Sequence, residues 1–217
     1  MIENPFYYES KWITKLETKE HWNSYWIQQR LIEDFVKENE SLLEIGVGSG
    51  FCSNYLRSKG FSVTTLDIDK DKNPDIVANI CTDKINYTYD AILAFEVFEH
   101  IPFPCFSKVL SEISKQNVRK VILSIPESKF SFLKLNLKIL GKEFSFQFSI
   151  TRKKLPNFLK KKYKLCKAHN WELNYSNKYT FKELEKLFIK KGFKILKTIR
   201  SKVNNHVFFV LENNRFN

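Results

Sequence analysis

Long apolar runs are missing from this 217-residue chain: the longest unbroken stretches, 91–95 and 207–211, are five residues each, against the roughly 20 a membrane-spanning helix needs. The opening residues, Met-Ile-Glu-Asn-Pro-Phe-Tyr-Tyr-Glu, lack the basic start and apolar stretch of a secretory signal. A cytoplasmic location is therefore expected. Glycine and proline, six of each, are too few for a collagen-like or low-complexity chain. The four cysteines, Cys52, Cys81, Cys105 and Cys166, contain no Cys-x-x-Cys pair. That spacing speaks against a zinc site and a disulfide framework and leaves free buried thiols as the expectation. Arginine is also scarce, six of 36 basic residues. Lysine lacks the planar fork with which arginine reads phosphates and base edges, which weighs against nucleic acid as a partner.

What is present is the make-up of a compact globular protein: 43% apolar, 15% aromatic and 28% charged residues. At about 100 to 200 residues per domain, the length fits one domain, with or without a sizeable insertion. The net charge of +12 is local. Residues 129–167 carry twelve basic side chains against a single acid, Glu143, leaving +1 for the rest of the chain. Such a stretch attracts phosphates, anionic lipid or nucleic acid, or simply forms a solvated face.

Hydrophobic periodicity places an amphipathic helix over 21–36, with Trp22, Trp26, Ile27, Leu31, Ile32, Phe35 and Val36 on its apolar side. Strands follow at 42–45, 61–66, 75–78, 89–95 and 118–125, with helices at 51–59, closed by Gly60, and from Pro104 to about residue 117. Thr180 and Glu183 form a capping-box pair opening a helix that Gly192 ends, and 193–199 with 207–211 make a final hairpin. Strands alternating with helices imply right-handed β-α-β units, hence an α/β, doubly wound, mostly parallel sheet with an antiparallel edge pair. Counting the hairpin, the sheet has seven strands. Ligands of such sheets sit beyond the strand carboxyl ends, at the switch point.

That rule points to three places. The first strand runs into Gly46-Val47-Gly48-Ser49-Gly50 and then a helix. Gly46 permits a sharp turn, Gly48 lets backbone approach a ligand, and Gly50 allows close helix packing. Phe51 stands where a dinucleotide fingerprint wants glycine or alanine, which counts against NAD and leaves a nicotinamide oxidoreductase the last of the alternatives, and no Gly-Lys-Ser or Gly-Lys-Thr is present for a P-loop. Asp67 closes the second strand, 21 positions after Gly46, at the separation from which a carboxylate reaches ribose hydroxyls; Asp69 is its nearest competitor. Glu96, Glu99 and His100 follow the fourth strand and should line the cleft.

With these motifs in order, the chain resembles class I S-adenosylmethionine-dependent methyltransferases of the small-molecule type 11 or type 23. The resemblance covers 41–125 well and 171–212 more loosely, and rests on Leu43-Glu44-Ile45-Gly46-Val47-Gly48-Ser49-Gly50, Thr65-Leu66-Asp67-Ile68-Asp69 and Phe95-Glu96-Val97-Phe98-Glu99-His100-Ile101-Pro102. It implies a Rossmann-like methyltransferase fold with S-adenosylmethionine as cofactor and S-adenosylhomocysteine as product. Gly46, Gly48 and Gly50 would wrap the methionine and ribose portion, Asp67 the ribose hydroxyls, and Glu44 and Glu96 the amino-acid end. Ile68, Asn79 and Ile80 would complete the cofactor contacts. Relatives usually carry an acid near the adenine amine where this chain reads Ala78-Asn79-Ile80-Cys81; an asparagine oxygen still accepts there, without charge assistance.

Methyl transfer from a sulfonium needs a base only when the acceptor must lose a proton. His100 titrates in the right range and stands at the right strand end; its alternative role is to cap or pack against the next helix. His169-Asn170-Trp171-Glu172 resembles a His-x-Trp-Glu stretch of some relatives, making His169 and Glu172 the other catalytic candidates, against packing by Trp171 with solvent-facing neighbours. His21 and His206 stay unassigned. The expected organisation is one domain: a helical segment 1–40, a cofactor core 41–126, a basic and aromatic cap 127–179, and a last helix with hairpin 180–217. The cap's alternation of apolar and cationic residues fits a cap core with a soluble face, a small-molecule or glycan-like acceptor bearing phosphate, or an anionic membrane surface. An RNA methyltransferase and a non-catalytic cofactor-binding protein are the competing functions; no metal is expected.

Overall fold

The computed structural model describes residues 18–139, 142–162, 164–201 and 203–216. The stretch weighed as a leader, and the first part of the expected 1–40 segment, lie outside them. Helix α1 (Lys19–Phe35) opens on Thr18, whose hydroxyl accepts the His21 N–H. Its buried stripe is Ile27, Leu31 and Ile32 with Ser24, Gln28 and Gln29. Trp22 and Trp26, expected on the apolar face, are 50% and 64% exposed. The helix meets the sheet through the 27/31 rung, which turns 22 and 26 to its flank, where Trp22 instead meets the ring of Phe51 at 5.2 Å.

The elements then run β1 (Ser41–Ile45), α2 (Phe51–Ser58), β2 (Ser62–Asp67), β3 (Ile76–Val77), β4 (Ala91–Phe95), α3 (Phe103–Lys115) and β5 (Lys120–Pro126). After β6 (Lys129–Ile139), β7 (Lys142–Thr151) and α4 (Asn157–Lys162) come α5 (Phe181–Lys190), β8 (Phe193–Arg200) and β9 (His206–Asn213). Seven strands form one sheet in the order β3-β2-β1-β4-β5-β9-β8. The first five are parallel, and β9 pairs antiparallel with both β5 and β8. The closing hairpin is thus the edge pair expected, with β9 slotted inside and β8 outermost. Chain order reverses between β1 and β4, which sets the crevice there.

Alternation along the buried strands builds two cores. Leu43, Ile92, Val121 and Phe209 face α3 and α5, where Phe106, Leu110, Leu184 and Phe188 meet them. Leu42, Leu93, Ile122 and Phe208 face α1 and α2 through Ile27, Leu31 and Leu56. The result is three layers, helix on sheet on helix. Glu44 falls on the α1/α2 face with Leu42, since side chains two apart share a face.

The basic segment forms a separate antiparallel ribbon, β6 against β7, in register from Lys129↔Thr151 to Ile139↔Lys142. Phe132, Leu133, Phe148 and Ile150 on it, and Phe158 on α4, are exposed. One expectation fails outright. Cys81 and Cys105 are joined as a disulfide, tying the turn after β3 to the first turn of α3. Of the remaining two thiols, Cys52 is buried and Cys166 exposed. The pairing was invisible because the two cysteines stand 24 positions apart and are brought together by the way the chain passes through β4, not by local spacing. Among the described residues, no helix is long and apolar enough to cross a membrane.

Candidate functional site

The turn after β1 explains its glycines. Gly46 donates its N–H to the Leu66 carbonyl at 2.8 Å with φ +81°, and a Cβ there would stand 2.4 Å from Cγ2 of Val97. Gly48 differs: it is exposed, and a Cβ would meet nothing within 4 Å. Gly46 is therefore fixed by the loop after β4, whereas Gly48 leaves an open cradle. Gly50, with φ +73°, starts α2 directly. Phe51 packs on Tyr25 at 4.3 Å and on Tyr55 at 5.9 Å, and the Tyr25 hydroxyl meets Ser49 Oγ at 3.0 Å. An aromatic wall from α1 thus stands over the turn at the position that excluded a dinucleotide fingerprint.

Asp67, at the end of β2, is held across the crevice from that turn. One carboxylate oxygen accepts the Val47 N–H at 2.8 Å, the other the Asp69 N–H at 2.9 Å. Each oxygen keeps a second lone pair for a ligand hydroxyl. Asp69 spends its own carboxylate on the Asp71 N–H, capping a short 3-10 turn. Ile68 is half-buried between them. Just after β3 the Asn79 side-chain oxygen accepts the Cys81 N–H at 2.9 Å, and Ile80 is buried.

Glu44 is the odd member of a strand otherwise given to the core. It is buried, and its Oε2 has no hydrogen-bond partner. Burial pushes its carboxyl up to about 7 despite Ser53, Cys52 and Arg57, which favour the charged form. Glu96 adopts φ +57°, a left-handed backbone that costs a residue with a side chain about 1–3 kcal/mol. Its N–H donates to Ser124 Oγ at 3.0 Å, and its carboxylate lies 3.7 Å from Nε2 of His206.

A second group is built where two segments dock. Residues 170–171 are stitched to the 3-10 turn Phe98–His100 by three hydrogen bonds: Asn170 N–H to the Glu99 carbonyl (2.7 Å), Asn170 Nδ2 to the His100 carbonyl (2.9 Å), and Trp171 Nε1 to the Phe98 carbonyl (3.0 Å). Trp171 is fully buried between Phe103 and Phe106. This docking sets the imidazoles of His100 and His169 5.1 Å apart. His100 Nδ1–H donates to the Ala168 carbonyl (2.9 Å), and His169 Nδ1 pairs with Glu172 Oε1 (2.8 Å). Burial lowers the pKa of His100, which favours the neutral ring. Burial works to raise the Glu172 carboxyl, but hydrogen bonds from His169 and Ser128 hold it below its ordinary value. Glu99 is fully buried, and that burial pushes its carboxyl well up.

Two constellations therefore share the carboxyl edge of the sheet: Glu44, the glycine turn and Asp67 on one side, Glu99, His100, His169 and Glu172 on the other. Glu96 adjoins both, its charge acting on Tyr25, Glu99 and His100. His206, unassigned from the sequence, lies beside Glu96 at this edge. It opens β9 opposite Pro126, and an antiparallel strand begins where its parallel neighbour ends, so the strand direction alone would have placed it at the cleft.

A family model described as a methyltransferase domain matches residues 20–198. Ribosomal RNA small subunit methyltransferase A of Mesomycoplasma hyopneumoniae is 26% identical over 109 residues, 46% of this chain and 42% of that protein, so the match spans less than half of that relative. Among solved structures, an S-adenosylmethionine-dependent methyltransferase of Clostridium acetobutylicum superposes with TM-score 0.56 at 12% identity, over 93% of this chain and 94% of that one. Magnesium protoporphyrin IX methyltransferase of Synechocystis, with bound S-adenosylhomocysteine, gives TM-score 0.61 at 15% identity, over 96% and 90%. At such identities the likeness is one of fold.

Proposed function

The chain belongs to the methyltransferase-domain family, and on that premise we propose that it binds S-adenosylmethionine and methylates an oxygen or nitrogen of a small-molecule or glycan-like acceptor. The observation that carries this is the Asp67 carboxylate, clamped by the Val47 N–H at 2.8 Å opposite the open cradle of Gly48. Such a pairing suits a ribose whose hydroxyls meet a fixed acceptor while its chain lies along bare backbone. The residues fit the rest of the cofactor as well. The unpartnered Glu44 oxygen offers a buried acceptor for an ammonium group. Ile68 and Ile80 supply apolar contact near the adenine, and the second lone pair of the Asn79 oxygen accepts from its amine.

When bound, the cofactor supplies a methyl group on a positively charged sulfur, activated for in-line displacement. The protein's part is to place the acceptor atom and take its proton. His100 has Nδ1–H committed to the Ala168 carbonyl, so its other nitrogen carries the lone pair that a base needs. His169 stands beside it, oriented by Glu172 as a positioning residue. Glu172 is in turn held by the Ser128 hydroxyl.

The β6–β7 ribbon, exposing phenylalanines among lysines, supports an acceptor that is both apolar and phosphate-bearing, or one presented at an anionic membrane. Release of S-adenosylhomocysteine across a panel of nucleotide sugars and lipid-linked glycans tests this, with His100→Gln, His169→Gln and Glu172→Gln measured singly. Turnover lowered by about 10²-fold or more in His100→Gln supports the assignment; turnover untouched by all three removes it. A second function, RNA methylation, is favoured by the ribosomal RNA methyltransferase match and the basic segment. RNA affinity falling steeply between about 50 and 200 mM salt, as counterion release from several phosphate contacts requires, would support it over the first.

A further inference from the structure

The geometry points to a metal centre: we propose that Glu99, His100 and His169 together bind one divalent first-row transition-metal ion. One ligand atom from each of the three lies within 4.8 Å of the others. An ion with bonds of about 2.0–2.2 Å in tetrahedral geometry holds its donors about 3.4 Å apart, so side-chain rotations must draw the set together by up to roughly 1.4 Å as the ion binds.

The surroundings are those of a built site. Both imidazoles have Nδ1 engaged by oxygen, His100 with the Ala168 carbonyl at 2.9 Å and His169 with Glu172 at 2.8 Å. Those bonds place the hydrogen on Nδ1 and the lone pair on Nε2 of each ring. A histidine whose other nitrogen is held by a carbonyl or carboxylate is oriented as metal-binding histidines are. Glu172 is itself fixed by Ser128, so the orientation extends one layer outward. The Glu99 side chain is almost wholly buried, and its Oε2 has no hydrogen-bond partner. A carboxyl oxygen in that state costs free energy unless a donor or a cation meets it, and a bound ion would supply the latter. The three hydrogen bonds joining 98–100 to 170–171 hold the donors on rigid backbone.

Two imidazoles with one carboxylate suit zinc, manganese, iron or cobalt and not calcium or magnesium, which prefer oxygen alone. Three protein ligands leave a coordination position open. Binding of the ion does not rest on the methyltransferase assignment. Its use there, to hold an acceptor oxygen and lower its pKa, does; with the ion bound, His100 Nε2 serves as a ligand, and the lowered acceptor pKa takes the place of the base role proposed for that nitrogen above.

The test uses the untagged full-length chain, stripped with a chelator and titrated with zinc chloride and with cobalt chloride. One equivalent of zinc per chain is expected, with visible ligand-field bands from cobalt. Glu99→Gln and His169→Gln, each shown to be folded by thermal unfolding, should weaken zinc by at least about 10–100-fold. Cys166→Ser removes the exposed thiol and should leave binding unchanged. No stoichiometric uptake by folded wild type, uptake indifferent to both Glu99→Gln and His169→Gln, or uptake lost in Cys166→Ser would each overturn the proposal. S-adenosylmethionine is titrated in parallel: cofactor binding without metal refutes this centre alone, and metal binding without cofactor refutes only the methyltransferase assignment.

Discussion

Replacing Glu44 by glutamine should stabilise the ligand-free protein at alkaline pH and barely at acid pH. In the fold its carboxyl is raised from an ordinary 4.5 to about 7 by burial. The folded state therefore prefers the protonated form. Its contribution is intact below about pH 4.5, is lost as pH climbs towards 7, and stays lost above. At about 1.4 kcal/mol per unit, the wild type gives up roughly 3 kcal/mol at pH 8 and under about 1 kcal/mol at pH 5. Glutamine keeps the shape and cannot ionise. The difference in unfolding free energy between variant and wild type should thus widen by about 2–3 kcal/mol from pH 5 to pH 8. Urea unfolding followed by tryptophan fluorescence at pH 5, 6, 7 and 8 measures it. Stability profiles that run parallel across that range would refute the claim that Glu44 is desolvated. The same carboxyl gives a cofactor signature: wild-type affinity for S-adenosylmethionine should rise with pH up to about 7, as ionised Glu44 meets the ammonium, and the variant's should not.

Other residues give sharper local tests. Gly46→Ala puts a methyl group 2.4 Å from Val97 on a φ of +81° and should cost about 2–4 kcal/mol in urea unfolding; a loss below about 1 kcal/mol would contradict that packing. Trp171→Phe leaves the Phe98 carbonyl without its indole donor and should cost about 2 kcal/mol, while loosening the docking that holds His169. Without reduction, alkylation should label Cys166 in the native protein and add only Cys52 on unfolding; labelling of all four cysteines would contradict the Cys81–Cys105 bond. Reducing that bond should destabilise the chain by about 3 kcal/mol on loop-closure entropy.

The layer order and strand pairing were legible because period-2 and period-3.6 patterns are local, and because right-handed crossovers leave few ways to join them. The glycine turn, Asp67 and Glu96 were legible for the same reason: each closes a strand, and strand ends converge. What escaped is set by contacts distant in sequence. The docking of 168–172 onto Phe98–His100 depends on the burial of Trp171, which no spacing reveals. Exposed Trp22 and Trp26 were misassigned because their four-residue spacing matches the true stripe through Ile27 and Leu31. Asn79 was read as an adenine acceptor, and its commitment to the Cys81 N–H depends on a turn that only the folded loop defines.

Calorimetric titration of wild type and Asp67→Ala with S-adenosylmethionine and S-adenosylhomocysteine, with NADH as control, tests the central claim most directly. One site is predicted for each of the two ligands and none for NADH. Asp67→Ala should weaken binding by roughly 10–100-fold, as loss of hydrogen bonds to a charged acceptor demands. A folded wild type that binds neither ligand, or an Asp67→Ala variant that binds as tightly, would contradict the account.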